Sequence, residues 1–294
     1  MTVNENPRHY SADGGILFVV GTPIGNLEDI TLRALRILKD VNVIAAEDTR
    51  HTRKLLSHYD IHTPLVSYHE HNKRSRIPLL ISRLGAGERI ALVSDAGMPG
   101  ISDPGHELIV AALEGDIEVT VVPGASALIS ALVVSGLPTN AFTFSGFPPR
   151  KAGERADFMR RALASGSTTV FFESPKRLVN ALELIERMAP GRRIAIAREL
   201  TKKFEEVIRG DAAQLLAHFA EREPRGECVV ILEGSMEPAA VFEEGPPPNP
   251  AALVHRLMQE KRLSRKEAMR EVARRLNLSR RDVYEALLKE EEKE

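Results

Sequence analysis

This chain of 294 residues has a single cysteine, no long apolar run and almost no net charge. Because Cys228 is the single cysteine, an intramolecular disulfide and a zinc site built from several cysteines are excluded. The formal net charge is -1, so any nucleic-acid surface must be a local patch. No apolar run is long enough to span a bilayer, and residues 1–15 lack the apolar core of a signal peptide. These features predict a soluble cytoplasmic protein with a disordered leader at 1–15.

Short apolar runs alternate with helical patterns through the first half of the chain. The run ILFVV at 16–20 is typical of a strand buried on both faces, and runs at 41–46, 89–94 and 119–124 are further strand candidates. Apolar residues then recur at helical spacing after the first run, and Asn26 is predicted to cap that helix. This alternation predicts a parallel α/β sheet.

The second half of the chain predicts a different sheet and a separate helical end. SGLPTN at 135–140 interrupts the alternation, which indicates a domain boundary. FEEVIRG follows RRIAIA too closely for a crossover helix, so this pair is predicted to be antiparallel and the second sheet mixed. The predicted parts are an N-terminal α/β domain at 16–136, a second α/β domain at 137–234, a proline-rich linker at 235–250 and a helical C-terminal module at 251–294.

The C-terminal module carries two helix-start signals and a basic excess. Ser264 with Glu267 forms one capping box, and Ser279 with Asp282 repeats the arrangement, so a helix-turn-helix unit is predicted. Residues 256–282 hold ten Lys or Arg and four Asp or Glu, a net charge of +6. This charge fits a nucleic-acid contact and a solvated face of a small helical bundle equally well.

Three loops rich in glycine and proline follow predicted strands: GTPIGN, SDAGMPGISDPG and PGASAL. In an open α/β sheet, ligands bind beyond the carboxyl ends of the strands, and three such loops together indicate one extended ligand rather than plain turns. The chain has neither G-x-G-x-x-G nor G-K-[ST] after a strand, so a conventional dinucleotide or phosphate site is weakly supported. Asp95 and Asp103 instead offer carboxylates suited to ribose hydroxyls or an ammonium group.

Six motifs occur along the chain in a fixed order: GTPIGNLEDITLRAL, VIAAEDTR, SDAG-x-P-x-ISDPG, VVPGASA, VFFESPKR and RELTKKFEE. With them the chain resembles the ribosomal RNA small-subunit methyltransferase I family, within the tetrapyrrole methylase superfamily. The resemblance covers roughly residues 16–234, and the C-terminal module resembles the helix-turn-helix piece of that family. Met98 is a departure, because a small hydroxyl residue is expected there.

The resemblance implies the two-domain α/β fold of the tetrapyrrole-methylase-like (class III) methyltransferases, a homodimer, and S-adenosylmethionine bound between the two domains without a metal. It implies as product a 2′-O-methylated cytidine in the decoding centre of 16S rRNA. Matched motif by motif, the residues expected to bind S-adenosylmethionine are Pro23, Ser94, Asp95, Gly97, Ile101, Ser126, Ala127, Phe172, Glu173 and Leu200.

The implied reaction needs a group that takes a proton, because a ribose 2′-OH is a poor nucleophile until its proton starts to leave. Asp48 is the predicted base, since it matches the position of the candidate catalytic carboxylate in the superfamily. The residue also suits the N-cap of the next helix, and the two roles are compatible. Glu199 and Lys202 are alternative catalytic candidates that would orient the nucleophile, or else form a buried ion pair.

The segment 50–76 is rich in basic residues and histidines next to Asp48. Its predicted RNA-binding residues are Arg50, Arg53, Lys54, Lys73, Arg74 and Arg76. A metal cluster is weakly supported, because His58 and His62 have no convincing third ligand.

Two other functions fit parts of the sequence. A tetrapyrrole C-methyltransferase would need neither of the two basic segments. A non-catalytic RNA-binding assembly factor would not need the cofactor loops.

Overall fold

The computed structural model describes residues 14–235, 250–261, 263–276 and 280–291. They fall into two compact units that divide after Met236. The predicted leader and linker lie almost entirely outside the described residues. Within the described ranges, no helix has the length and apolar character needed to cross a membrane.

The first sheet has five strands, all parallel: β1 (Ile16–Val20), β2 (Val43–Ala46), β3 (Leu65–Ser67), β4 (Arg89–Val93) and β5 (Glu118–Val122). Their order in the sheet is β3-β2-β4-β1-β5. The parallel sheet and four of its strands are as predicted. β3 was not predicted, because its three residues lie in a segment whose basic and histidine residues dominate the pattern.

Five helices follow these strands: α1 (Leu32–Asp40), α2 (Thr49–His58), α3 (Lys73–Gly85), α4 (Gly105–Glu114) and α5 (Ala127–Ser135). The predicted cap of α1 is wrong. Asn26 caps a short 3-10 turn instead, where its side chain accepts a hydrogen bond from the Glu28 backbone N–H. Thr31 caps α1 by accepting from the Ala34 N–H at 3.1 Å, so the helix begins at Leu32.

The second sheet is mixed, as predicted, and has the order β6-β7-β10-β8-β9. Its strands are β6 (Phe142–Phe144), β7 (Thr168–Glu173), β8 (Ile194–Arg198), β9 (Glu206–Gly210) and β10 (Cys228–Leu232). β6 and β7 are parallel, and the other neighbours are antiparallel, including the predicted pair β8 and β9. The helices are α6 (Ala152–Ala164), α7 (Pro175–Met188) and α8 (Ala212–Glu221).

Helix α5 covers one face of the second sheet, although it directly follows the first sheet in sequence. Ala131 and Leu132 of α5 are buried in one apolar cluster with Val170, Ala195 and Ile231 of the second sheet. Helices α6, α7 and α8 pack on the opposite face. Helix α5 and Ile24 of the loop after β1 therefore belong to an apolar cluster of the second sheet within one compact unit, and the domain boundary at 136 stays a prediction.

The described residues of the C-terminal unit form three helices: α9 (Pro250–Lys261), α10 (Arg265–Leu276) and α11 (Arg280–Glu291). They enclose a small core that includes Val254, Leu257, Val272, Val283 and Leu287. The predicted capping box at the start of α10 is present: the Ser264 N–H donates to Glu267 Oε2 at 3.0 Å, and the Glu267 N–H donates to Ser264 Oγ at 3.4 Å. The second predicted cap, Ser279, lies outside the described residues.

The ends of β1 and β5 approach each other through two glycines. A Cβ added to Gly21 would lie 2.7 Å from the Gly124 Cα and 2.8 Å from its N, so neither position has room for a side chain. We expect Gly21→Ala to lower the free energy of unfolding by about 1–3 kcal/mol, the usual cost of overpacking.

The matched control is Gly153→Ala near the start of α6, where an added Cβ meets no atom within 4 Å. This change should raise the free energy of unfolding by about 0.4–1 kcal/mol, because alanine loses less backbone entropy on folding. Urea unfolding followed by circular dichroism measures both variants. Equal stability of Gly21→Ala and the wild type would show that the close approach is not a packing constraint.

Candidate active site

Loops at strand ends of both sheets enclose a cavity of about 510 Å³ inside the first compact unit. The first half of the chain contributes Ile24, Ala96, Gly97, Met98, Ile101 and residues 126–129. The second half contributes Phe147, residues 172–175, Ala197, Glu199, Leu200, Lys202 and residues 227–229. This volume is in the usual range for a site that encloses a small molecule.

Most of the residues predicted to bind S-adenosylmethionine line this cavity: Gly97, Ile101, Ser126, Ala127, Phe172, Glu173 and Leu200. Pro23, Ser94 and Asp95 do not line it. Pro23 and Ser94 are both buried. Ser94 Oγ donates to the Gly97 carbonyl at 3.4 Å, so Ser94 stabilises the loop after β4 without lining the cavity. Direct contacts of these ten residues with a cofactor stay a prediction.

The loop after β4 is held by its own polar groups. Thr22 and Gly97 exchange two backbone hydrogen bonds of 2.9 and 3.1 Å, and Gly97 has a left-handed φ of +80°. Asp103 Oδ1 accepts from the N–H groups of Gly100 and Gly105 at 2.8 and 2.7 Å. The Asp103 carboxylate therefore fixes the turn through its Oδ1.

The charged residues of the cavity lining are three carboxylates, Glu173, Glu199 and Glu227, and one cation, Lys202, which pairs with Glu199 and Glu227. Glu173 is almost fully buried, and its side chain accepts from the Ser174 N–H at 2.8 Å and from Arg177 Nη2 at 2.9 Å. This excess of negative charge suits a ligand that carries positive charge. Burial raises the pKa of the Cys228 thiol in the same lining to about 12, so the thiol stays protonated and is not a nucleophile.

The turn after β8 is strained where it meets the cavity. Glu199 and Thr201 have positive φ values of +49° and +65°, which residues with side chains rarely adopt. Glu199 Oε1 accepts from Lys202 Nζ at 3.0 Å and from the Glu227 N–H at 3.2 Å. Burial opposes ionisation of Glu199, but these two hydrogen bonds outweigh it and lower the pKa of the carboxyl. Between the strained residues, Leu200 points into the apolar core.

Asp48 lies at the carboxyl edge of the first sheet, outside the cavity lining. It caps α2, where its Oδ1 accepts from the Arg50 N–H at 2.8 Å, and its Oδ2 accepts from Arg50 Nη2 at 2.8 Å. Asp95 Oδ1 accepts from the Asp48 N–H at 2.9 Å, so the two predicted residues are neighbours. The hydrogen bonds from Arg50 hold the pKa of Asp48 well below its usual range. The predicted N-cap is therefore present, and the catalytic role of Asp48 stays a prediction.

Two residues that the sequence analysis missed stand at this site. Burial and the nearby Asp95 raise the pKa of Glu47, which directly precedes Asp48 in the EDTR motif. Phe147 lines the cavity from the loop SGFPPRK. That loop follows a strand and contains glycine and proline, so the signal used for the other loops was present in it.

The predicted RNA-binding residues differ in their exposure and in whether their charges are paired with carboxylates. Arg53 and Lys54 are exposed on α2, and Arg74 is exposed on α3, where Arg76 is half-buried. Lys73 is held between Glu107 and Glu70, and these two carboxylates raise its pKa. Among the described residues, no group of histidine, cysteine and acidic side chains is arranged to hold a metal ion.

Comparison with solved structures gives the class of fold. The uroporphyrin-III C-methyltransferase of Thermus thermophilus has a TM-score of 0.51 and 23% identity, over 74% of this chain and 94% of that one. A diphthine synthase has a TM-score of 0.57 and 14% identity, over 74% and 90%. The family model for tetrapyrrole (corrin/porphyrin) methylases matches residues 17–216.

Two relatives with higher sequence identity are each called ribosomal RNA small subunit methyltransferase I. The protein of Halalkalibacterium halodurans is 46% identical over 92% of this chain and 94% of its own length. That of Synechocystis sp. is 45% identical over 93% and 98%. The chain belongs to the tetrapyrrole methylase family and, within it, to the group of ribosomal RNA small subunit methyltransferases I. The predicted fold, the predicted methyltransferase class and S-adenosylmethionine as methyl donor are thereby confirmed.

Gly226 packs closely against the Glu199 carboxylate. A substitution at Gly226 therefore tests whether the cavity wall formed by Glu199 and Lys202 belongs to the cofactor site. Gly226 has a φ of +76°, and an added Cβ would overlap Glu199 Oε1. We expect Gly226→Ala to displace Glu199 and Lys202 and to weaken S-adenosylmethionine binding, measured by calorimetry, by tenfold or more, a shift of about 1.4 kcal/mol.

The matched control is Gly191→Ala, which has a φ of +74° and no atom within 4 Å of the added Cβ. Backbone strain should cost each variant about 1–2 kcal/mol of stability, and the overlap with Glu199 adds to this loss in Gly226→Ala. Only Gly226→Ala should bind the cofactor less tightly. Equal affinities of the two variants would remove this wall from the cofactor site.

Proposed function

We propose that the protein transfers the methyl group of S-adenosylmethionine to the ribose 2′-OH of a cytidine in the decoding centre of 16S rRNA. The observation that carries the proposal is a cavity with an acidic excess at the strand ends of a chain that is 46% identical to a ribosomal RNA small subunit methyltransferase I. Membership of that group supports the small ribosomal subunit as substrate and the cytoplasm as location.

The cavity fits S-adenosylmethionine in size and charge. Apolar side chains such as Ile24, Met98 and Leu200 form most of the wall, and backbone groups of the glycine-rich loop offer hydrogen bonds to hydroxyl and carboxylate groups. Glu173 and Glu199 place negative charge beside a cationic ligand. When bound, the cofactor supplies an activated methyl group, so the chain's own residues have to orient the acceptor oxygen and exclude water.

The proton of the 2′-OH is proposed to pass to Asp48. The carboxylate is ionised at neutral pH, because Arg50 stabilises its charged form. Arg50 is 85% exposed in its side chain, so it is free to turn from Asp48 to an RNA phosphate. Loss of that hydrogen bond raises the proton affinity of Asp48 at the moment when substrate is bound. Glu199 and Lys202, which line the cavity, are the alternatives for orienting the acceptor.

Methyl transfer itself tests the proposal. The protein is incubated with radiolabelled S-adenosylmethionine and either small ribosomal subunits that lack the modification or a porphyrinoid precursor. We expect label in 16S rRNA at a cytidine ribose, located by nuclease digestion and mass spectrometry. Label in the pigment would assign a tetrapyrrole methyltransferase, and no label in either would indicate a binding protein.

The substitution Asp48→Asn distinguishes a catalytic role of Asp48 from its role as a helix cap. Asparagine keeps the cap but does not take a proton at neutral pH, so stability and cofactor affinity should hold. Single-turnover methyl transfer should fall by about 10²–10⁴-fold, the usual contribution of a general base.

The matched control is Asp211→Asn at the cap of α8, where Asp211 accepts from the Gln214 N–H at 2.9 Å. Asp211 does not line the cavity, so this variant should react at the wild-type rate. A wild-type rate in Asp48→Asn as well would limit Asp48 to its capping role.

We further propose that the protein is a homodimer that uses the outer face of α5. The inner face of this helix packs on the second sheet, but Val133 and Val134 are exposed and do not line the cavity. A helix that is apolar all round is normally buried all round, and an exposed apolar face of this kind marks a protein interface.

Val133→Asp should therefore convert the dimer to a monomer at micromolar concentration, as measured by light scattering. Leu113→Asp is the control, because Leu113 is a similarly exposed apolar residue on α4. We expect the control variant to stay dimeric. A dimer in both variants would exclude the α5 face from the interface.

A further inference from the structure

The loop SGFPPRK between β6 and α6 is fixed on both sides of one aromatic residue. Ser145 donates from its N–H to a carbonyl of β7 at 2.9 Å, and the Gly146 carbonyl accepts from an N–H of the same strand at 2.8 Å. On the other side, Arg177 Nη2 donates to the Pro148 carbonyl at 2.6 Å. The backbone that carries Phe147 is therefore set before any ligand binds.

The ring of Phe147 is exposed at the cavity and is not buried in a core. Phe147 lines the cavity, yet it is 58% exposed. Its ring centroid is 5.3 Å from that of Phe172 at an interplanar angle of 54°, so Phe172 supports the ring without stacking on it. Ile101, which is 50% exposed, lines the same cavity from the loop after β4. Both residues therefore lie where the cavity meets solvent.

The residues that follow Phe147 indicate the chemistry of its ligand. Arg150 and Lys151 come three and four residues later, and both are exposed. Lys151 also forms an ion pair with Glu154 at 3.1 Å. A rigid aromatic ring beside exposed cations is the combination that binds single-stranded nucleic acid, where the ring stacks on a base and the cations contact phosphates.

The reaction places a base close to this ring. A 2′-OH that reaches the cavity belongs to a ribose whose neighbouring C1′ carries the base. The base must therefore lie at the cavity mouth, and in single-stranded RNA it is free to leave the stack.

We propose that Phe147 is a stacking platform for the base of the acceptor nucleotide, and that Arg150 contacts a phosphate beside it. This inference rests on the proposed function, because it assumes an RNA acceptor. The platform binds the flat face of the base, so it orients the nucleotide while other groups determine which base is accepted.

The test measures dissociation constants for small ribosomal subunits by filter binding, and for S-adenosylmethionine alone by calorimetry. Phe147→Leu keeps an apolar side chain but removes the π-face, so its affinity for the subunit should fall by about 5- to 150-fold. Phe147→Tyr keeps the ring and should bind like the wild type. Phe142→Leu is the matched control, because Phe142 is an exposed phenylalanine of the same sheet that does not line the cavity.

Salt dependence separates the two contacts. Arg150→Ala should reduce the slope of log affinity against log salt concentration by about one unit for one lost phosphate contact. Phe147→Leu should weaken binding without changing that slope, because stacking releases no counterion.

Several results would overturn the proposal. Unchanged subunit affinity in Phe147→Leu would remove the platform, and an equal loss in Phe142→Leu would indicate a general apolar surface. Weaker S-adenosylmethionine binding in Phe147→Leu would assign the ring to the cofactor. Loss of folding would also contradict the proposal, because an exposed platform carries little of the folding energy. If the wild type does not methylate small-subunit RNA, the proposed function fails, and this result is distinct from all the others.

Discussion

The contact between Gly25 and the turn after β8 is the constraint on which the site depends. An added Cβ on Gly25 would lie 2.9 Å from Thr201 Oγ1 and would overlap the Lys202 side chain, so the loop after β1 touches this turn directly. The turn holds Glu199 and Thr201 in left-handed conformations, and such strain persists only where the surrounding structure enforces it. One result is that Leu200 joins the apolar cluster that also contains Ile24, so loops of both sheets form the walls of one cavity.

Because the loops are stabilised by their own polar groups, we propose that cofactor recognition depends on the remaining backbone atoms and on charge. Asp103 is occupied by two N–H groups of its own loop, and Ser94 supports Gly97. The cavity therefore offers a mostly apolar wall with an acidic excess, which suits a flat, cationic ligand. A second acidic region lies at the edge of the first sheet, where Arg50 lowers the pKa of Asp48 while burial raises that of Glu47. Two adjacent carboxyl groups with opposite pKa shifts give this edge one ionised group and one group that protonates more readily.

The sequence predicted the features that depend on local pattern and on motif. Continuous apolar runs gave the strands, and the short spacing between β8 and β9 gave their antiparallel pairing. The packing of α5 on the second sheet was not predictable, because periodicity shows that a helix has an apolar face but not which sheet covers it. The ion pair of Lys73 with Glu107 joins two helices and depends on tertiary structure in the same way. Phe147 was missed although its loop contains the glycine and proline signal, and its position at the cavity depends on the meeting of two distant loops.

We propose that the strand-end loops of both sheets bind S-adenosylmethionine in their common cavity. A crystal structure of the protein with S-adenosylmethionine tests it most directly. We predict electron density for the cofactor between the loop that contains Gly97 and Ile101 and the wall formed by Phe172 and Leu200, with its sulfonium centre near the acidic side chains of the lining. Cofactor density at the Glu47 and Asp48 edge instead, with the cavity empty, would contradict the account.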